Sequence, residues 1–261
     1  MPTTASTPVA PRAEIVRFLD DLLRPPPACE DSSRNGLQVE GRPEVRRIAF
    51  GVDACQALFD AAVAESADFV VVHHGLIWGG GLRDVAGINA RRLGTLLGHG
   101  ISLYASHLPL DMHPEVGHNA EIARRLDLRG RQPFFEYGGV PIGCQGELPT
   151  PHSLPELRAL VERHLRTETR ALPFGPDTVR RVGIVSGGGG DAIAAAAEAG
   201  LDGLITGEVG HANYHVAREN RLHVIAAGHY RSEIPGLECL MARLRERFGV
   251  AGVFLDLPTG C

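Results

Sequence analysis

An internal repeat constrains this chain more than any other feature. The β-branched run Val70-Val71-Val72 ends in His73-His74-Gly75, and Leu103-Tyr104-Ala105 leads to His107 and, four positions on, Asp111. The second half repeats the order. Leu204-Ile205-Thr206 ends in Gly207-Glu208, and Val224-Ile225-Ala226-Ala227 leads to His229 and, four positions on, Glu233. Setting Ile48 against Val182 aligns Asp68 with Asp202 and His74 with Glu208 without a gap. A separate register aligns His107 with His229 and Asp111 with Glu233. One such coincidence means little. Strand, helix, strand, polar end, helix, strand and H-x3-carboxylate, in that order twice, point to duplication.

The hydrophobic pattern around the repeat gives the fold class. Ile48–Val52 reads as a buried strand, Ala54–Glu65 as an Ala-rich helix, and Phe69–Val72 as the next strand. That βαβ unit implies parallel strands joined by a crossover helix. Further helices are expected over Ala13–Arg24, Ala90–His99, Asn119–Leu126, Leu154–Arg166, Ala192–Ala199, His211–Asn220 and Gly236–Arg247. Ser153 followed by Glu156 predicts a capping box on the fourth of these. The chain is therefore read as α/β, with two related, duplicated lobes and metal-loving residue types at their strand ends. The expected divisions are a flexible tail over 1–11, lobe 1 over 12–126, a connector or reduced insertion over 127–179, and lobe 2 over 180–261. The proline-rich middle carries Pro133, Pro141, Pro149, Pro151, Pro155 and Pro173, which is why it is taken as a connector or a reduced insertion.

Composition removes several functional classes. With 44% hydrophobic and 22% charged residues, a chain of 261 residues has the makings of a globular core. A net charge of −5 argues against a general electrostatic grip on nucleic acid or anionic membrane. No apolar run of about 18 residues exists, so no membrane span is expected. Cys29, Cys55, Cys144, Cys239 and Cys261 are odd in number and scattered, without CxxC. They suit a reducing cytoplasm and offer no thiolate zinc site. Residues 1–11 lack the apolar core of a signal peptide.

The chemistry sits at strand ends, where parallel α/β sheets gather their ligands. Imidazoles and carboxylates together suit zinc, iron, manganese, cobalt or nickel. His73 and His74 point to opposite faces of an ideal strand, so both reach one site only if the strand breaks, which Gly75 permits. Slightly splayed, they suit two ions bridged by a carboxylate. His107 is open between a direct ligand and a group that orients one, and Glu208 reads as an orienting or substrate-contacting group. These two are the candidates for acid–base work. Ser186-Gly187-Gly188-Gly189-Gly190-Asp191 is either an anion-binding nest or a plain tight turn. His211 and His215 read as a polar helical face, and His113 and His118 as loop histidines that either reach the pocket or lie at the surface. Trp78 walls a pocket or an interface, or packs locally. There is no nucleophile elbow, so a hydrolase built on this chain would draw its nucleophile from metal-activated water.

In order along the chain, Asn35-Gly36-Leu37-Gln38-Val39, His73-His74-Gly75, His107-Leu108-Pro109-Leu110-Asp111, the Gly187–Gly190 turn, Thr206-Gly207-Glu208 and Gly228-His229-Tyr230-Arg231-Ser232-Glu233 resemble the Nif-three-like dinuclear metal-centre family, whose members are also called GTP cyclohydrolase 1 type 2 homologues. The resemblance covers nearly the whole chain and is closest to the short members that lack a large inserted domain. It implies two divalent metal ions per chain, held by His73, His74, Asp111, His229 and Glu233, with Glu233 as the bridge. It also implies that the two duplicated α/β lobes are intertwined, with the strand-end metal site at their junction, and that the chain forms a toroidal homo-hexamer. Two functions compete under it. One is a metal-dependent hydrolase of a nucleotide-like or phosphorylated small molecule. The other is a ring-shaped nucleic-acid- or protein-binding regulator with structural or sensing metals.

Overall fold

Strands form on the β-branched runs and helices on the Ala- and Leu-rich stretches between them. The computed structural model describes residues 8–82 and 84–260. In chain order the elements begin with β1 (Ala10–Pro11), α1 (Arg12–Leu22), β2 (Gly36–Val39), β3 (Glu44–Val45), β4 (Arg47–Asp53), α2 (Gln56–Ala64), β5 (Phe69–His74), α3 (Gly87–His99) and β6 (Ser102–Ala105). They continue with α4 (Leu108–Met112), α5 (His118–Arg125), β7 (Arg129–Tyr137), β8 (Val140–His152), α6 (Leu154–Leu165), β9 (Arg170–Pro173) and β10 (Val179–Val185). A 3-10 turn (Gly189–Ala192), α7 (Ile193–Glu198), β11 (Gly203–Thr206), α8 (Asn213–Glu219), β12 (His223–Ala226), α9 (His229–Ser232), α10 (Pro235–Phe248) and β13 (Ala251–Phe254) complete the chain.

Two units divide it. The first takes the stretch ending at Pro25, then Asp31–Pro109 and Leu237–Leu257. The second takes Pro26–Glu30, Leu110–Gly236 and the stretch from Pro258. The first carries a five-stranded sheet of order β13-β4-β5-β6-β2. Its first four strands are parallel and β2 closes the edge antiparallel to β6. Its core packs Leu58, Phe59 and Ala62 of α2 and Leu96 of α3 against Val70, Val72, Leu103 and Ala105. Fully burying one such Leu or Phe contributes about 1.5–3 kcal/mol.

The second unit carries a six-stranded sheet of order β7-β8-β10-β11-β12-β9. Strands β10, β11 and β12 are parallel, and β9 lies antiparallel to β12. Leu157, Val161 and Leu165, one face of α6, pack with Ile122 on Val182, Ile184, Ile205 and Ile225. Glu156 accepts the Ser153 backbone N–H at 2.8 Å, so the reach-back of the expected capping box is in place.

The repeat is thus a four-stranded motif. Strands β4-β5-β6-β2 of one sheet correspond to β10-β11-β12-β9 of the other, and the opposite edges differ. Ile48 pairs with Phe69, and Val182 pairs with Gly203, which is the register read from the sequence. After the third strand the copies part by one residue. Val72 pairs with Ala105 but Thr206 pairs with Ala226, so the second copy has one residue more before its histidine. The extra step falls by Gly228, whose φ is +87°.

These boundaries differ from the expected ones. Residues 127–179 are no connector: β7, β8, α6 and β9 lie there and supply half the strands of the second sheet. Their prolines misled because strand prolines sit where no ladder N–H is needed. Pro133 lies on the edge strand β7, and Pro149 and Pro151 fall where the β8–β10 register shifts. The last helix and strand belong to the first unit, because β13 pairs with β4. Of the expected tail, residues 1–7 lie outside the described residues, while Ala10–Pro11 pairs with Glu44–Val45. Among the described residues no helix is long and apolar enough to cross a membrane.

Candidate metal centre

In the first unit β4, β5 and β6 are adjacent and parallel, so their carboxyl ends lie side by side. Asp53 ends β4, His74 ends β5, and His107 follows β6. His73 and His74 both lie within β5, yet their ring centroids are 4.6 Å apart. Each ring leans toward a different neighbouring strand. The Nδ1–H of His73 donates to the carbonyl of Ser106 at 2.9 Å, and His74 Nδ1 lies 2.8 Å from Asp53 Oδ1. The chain then turns at Gly75. A Cβ there would collide with the Gln38 amide and press on Ala105 Cβ at 2.7 Å. Gln38 occupies that space because its Oε1 accepts the N–H groups of Leu76 and Ile77, at 2.7 and 3.2 Å. The Asn35–Val39 motif thereby acquires a physical role: it buttresses the turn that follows the histidines.

His107 is held from the other side of the same motif. Its ring Nδ1 lies 2.8 Å from Asp31 Oδ1, and its backbone N–H donates to Asn35 Oδ1 at 2.7 Å. Trp78 stacks edge-on at 5.0 Å between ring centroids and donates its indole N–H to Gly75. His73, His74 and His107 each bring a ligand-type atom within 4.8 Å of the other two.

In the second unit His229 opens α9 between two carboxylates. Its Nδ1 is 3.1 Å from Glu208 Oε1 and its Nε2 is 3.1 Å from Glu233 Oε1. The hydrogen bond to Glu233 raises its pKa most; burial opposes, the charge of Glu233 and then Glu208 add, and the result is about 9. Glu233 is buried, whereas the Glu208 side chain is about half exposed. Gly187 makes room for this group. With φ at +62° it sits where a Cβ would collide with Glu233 Oε1 and lie 3.2 Å from His229 Nε2. Close packing also accounts for Gly189 and Gly190, against Thr206 and Asn213, so three of the four glycines of the turn are needed without an anion.

Asp111, also in the second unit, is buried and accepts the Ser186 hydroxyl at 2.9 Å. His118 is wholly buried rather than at the surface. It brings a ligand-type atom within 4.8 Å of Asp111. Its Nδ1 accepts the Gly236 N–H at 3.0 Å, so the proton of the neutral ring rides on Nε2. His211 and His215 are both exposed, but only His215 lies on a helix, because α8 begins at Asn213 and His211 sits in the turn before it.

The residues picked from the sequence thus fall into two gathered sets: His73, His74 and His107 in one unit, His229, Glu233 and Glu208 in the other, with Asp111 beside Ser186. Sequence reasoning missed Asp31, Asp53, the bond from Ser186 to Asp111 and the burial of His118. Asp53 was within reach, because it ends the strand paired with the one that ends in His74. Asp31 had no periodic signal at all.

Fold and site together define a duplicated α/β protein with imidazole and carboxylate groups at its strand ends that could hold metal ions. The family described as Duf34/NIF3 (NGG1p interacting factor 3) matches residues 10–259, and the chain belongs to it. A Pyrococcus abyssi protein called GTP cyclohydrolase 1 type 2 homolog is 48% identical over 250 residues, 95% of this chain and 99% of its own. Its Pyrococcus horikoshii counterpart is 49% identical over the same shares. Among solved structures, protein ybgI, described as of unknown function, is 39% identical with a TM-score of 0.89, over 97% of this chain and all of its own. The protein TTHA1606 from Thermus thermophilus is 40% identical with a TM-score of 0.88 over the same shares.

Proposed function

We propose that the chain is a dinuclear metal protein that hydrolyses a nucleotide-like or phosphorylated small molecule. Its ligands in this reading are His73, His74, Asp111, His229 and Glu233, the set that the family resemblance assigns. One observation carries the reading: His73, His74 and His229, the three imidazoles of that set, each have Nδ1 against an oxygen atom, which is how metal-ligating histidines are oriented. The donor set of imidazoles and carboxylates fits borderline divalent ions such as zinc, iron, manganese, cobalt or nickel. A bound ion pair supplies Lewis acidity for hydrolysis. Around it, Ser186 holds the Asp111 carboxylate through its hydroxyl, and Glu208 steadies His229. Trp78 lines the three-histidine cluster with an apolar face.

Anomalous scattering across metal edges, on crystals of untreated protein, tests the centre; protein purified without bound transition metal and unable to take any up sinks it. A substrate screen that begins with GTP, suggested by the name of the Pyrococcus relatives, tests the hydrolase. Turnover must vanish in Asp111→Ala and Glu233→Ala, and no metal-dependent turnover of any nucleotide or phosphorylated metabolite removes the hydrolytic half. We extend the proposal to a toroidal homo-hexamer in a reducing cytoplasm, on the strength of the resemblance and of cysteines without CxxC. Light scattering in solution tests the assembly.

A further inference from the structure

The loop before β2 contains an acid that the resemblance leaves unassigned. Both carboxylate oxygens of Asp31 are fully used. Oδ1 takes the Ser33 N–H and faces His107 Nδ1, each at 2.8 Å. Oδ2 takes the Asn35 side-chain N–H at 2.8 Å and the Leu108 backbone N–H at 3.0 Å. Only 6% of the side chain is exposed. Ser33, Asn35 and Leu108 each turn an N–H toward these two oxygens, so both oxygens act as acceptors. An ionised carboxylate only accepts, so the proton of a neutral His107 ring is on Nδ1. His73 is in the same state, because a carbonyl has no proton to give, and Asp53 does for His74 what Asp31 does for His107. With the proton on Nδ1 in all three rings, Nε2 is the nitrogen that carries each ring's lone pair.

We propose that Asp31 is a positioning residue of the metal centre: it holds His107 in the Nδ1–H tautomer, so that Nε2 of His107 joins those of His73 and His74 as a third imidazole donor to a divalent transition ion. The inference rests on the metal reading above and deepens it. Asn35 completes the arrangement by accepting the His107 backbone N–H, so the residue is fixed at its backbone and at ring Nδ1.

Asp31→Asn makes the test sharp. An asparagine here must aim its NH2 at one of two pairs of donors. Ser33 N–H, the Asn35 amide and Leu108 N–H are committed donors. The imidazole alone can become an acceptor, by moving its proton to Nε2. Histidine-selective 15N labelling of the full chain, with long-range 1H–15N correlation, reads the tautomer directly in metal-free protein. Cobalt(II) titration followed by ligand-field absorption reads affinity in the same samples, and thermal melts monitor folding.

Wild-type His107 should be the Nδ1–H tautomer. In Asp31→Asn the proton should move to Nε2 and cobalt affinity should fall about 10–100-fold. His107→Ala should weaken binding at least as much, and Asp31→Asn with His107→Ala should be no weaker than His107→Ala alone. Asp31→Glu should restore the wild-type tautomer and part of the affinity. Wild-type His107 with its proton on Nε2 overturns the proposal without any variant. So does unchanged cobalt affinity in a folded Asp31→Asn protein, or additive losses in the double variant. If the wild type takes up no cobalt, the metal reading itself has failed, and the tautomer spectrum still decides whether Asp31 sets the ring.

Discussion

Asp68 and Asp202 fasten the backbone in the same way. Oδ2 of Asp68 accepts the N–H groups of Arg46 and Arg47, at 2.8 and 3.3 Å. Oδ2 of Asp202 accepts those of Arg180 and Arg181, both at 2.8 Å. In each unit an acid in front of the second parallel strand pins the entry to the first. Removing a buried acceptor from two N–H groups costs about 1–3 kcal/mol. Asp68→Ala and Asp202→Ala should both lower the urea midpoint with unchanged m. Asp68→Ala should cost more, because Asp68 is the more buried and also meets Arg42 at 3.2 Å. A neutral Asp68→Ala would mean that water replaces the carboxylate.

Gly187→Ala should damage the centre more than the fold. The left-handed backbone makes any side chain there cost about 1–2 kcal/mol. The larger effect is steric, since the new methyl collides with the Glu233 carboxylate. Calorimetric titration with zinc should show affinity reduced at least tenfold while the far-UV circular dichroism is retained. Wild-type affinity in this variant would exclude Glu233 as a ligand in its present rotamer.

The acid flanks of His229 predict a pH dependence in metal-free protein. Its folded pKa of about 9 lies above the unfolded value of 6.5. Proton binding therefore favours the folded state: the stabilisation is complete below pH 6.5 and is lost as pH rises through 9. After chelation, the difference in Tm between wild type and His229→Gln should shrink steadily from pH 6.5 to 9.5. A difference that widens with pH has the wrong sign and rules out the ion-paired imidazolium.

Trp78 is the chain's only tryptophan, and its ring centroid lies 5.0 Å from His107 and 6.0 Å from His74. Its emission should report occupancy of the three-histidine cluster. Cobalt(II) should quench it with a saturable, stoichiometric curve that His73→Ala with His74→Ala abolishes. Quenching that persists in that variant would come from surface binding.

How far the sequence carried the reading depends on the range of each signal. The parallel strands were legible because a βαβ unit is local, and the repeat gave its register through Asp68 and Asp202. The middle was misread because proline punctuates loops and tolerates edge strands alike, and Pro133 does the second. Candidate ligands were legible because they end apolar runs. Their supports were not. Asp31 meets His107 across 76 positions of sequence, and a contact that long leaves no trace in spacing. His118 looked like a loop histidine because its burial comes from packing rather than from its neighbours in sequence.

The register that equates Asp68 with Asp202 also equates Asp53 with Gly187. In the first copy that position carries the carboxylate that reaches sideways to His74. In the second it is bare, and the space is taken by Glu233, which arrives from a later part of the chain. The two halves have therefore become non-interchangeable. An aspartate at position 187 would crowd the buried Glu233 carboxylate, and a glycine at position 53 would leave His74 without its anchor. The duplication survives as a scaffold, while its two halves have specialised past the point where either can stand in for the other.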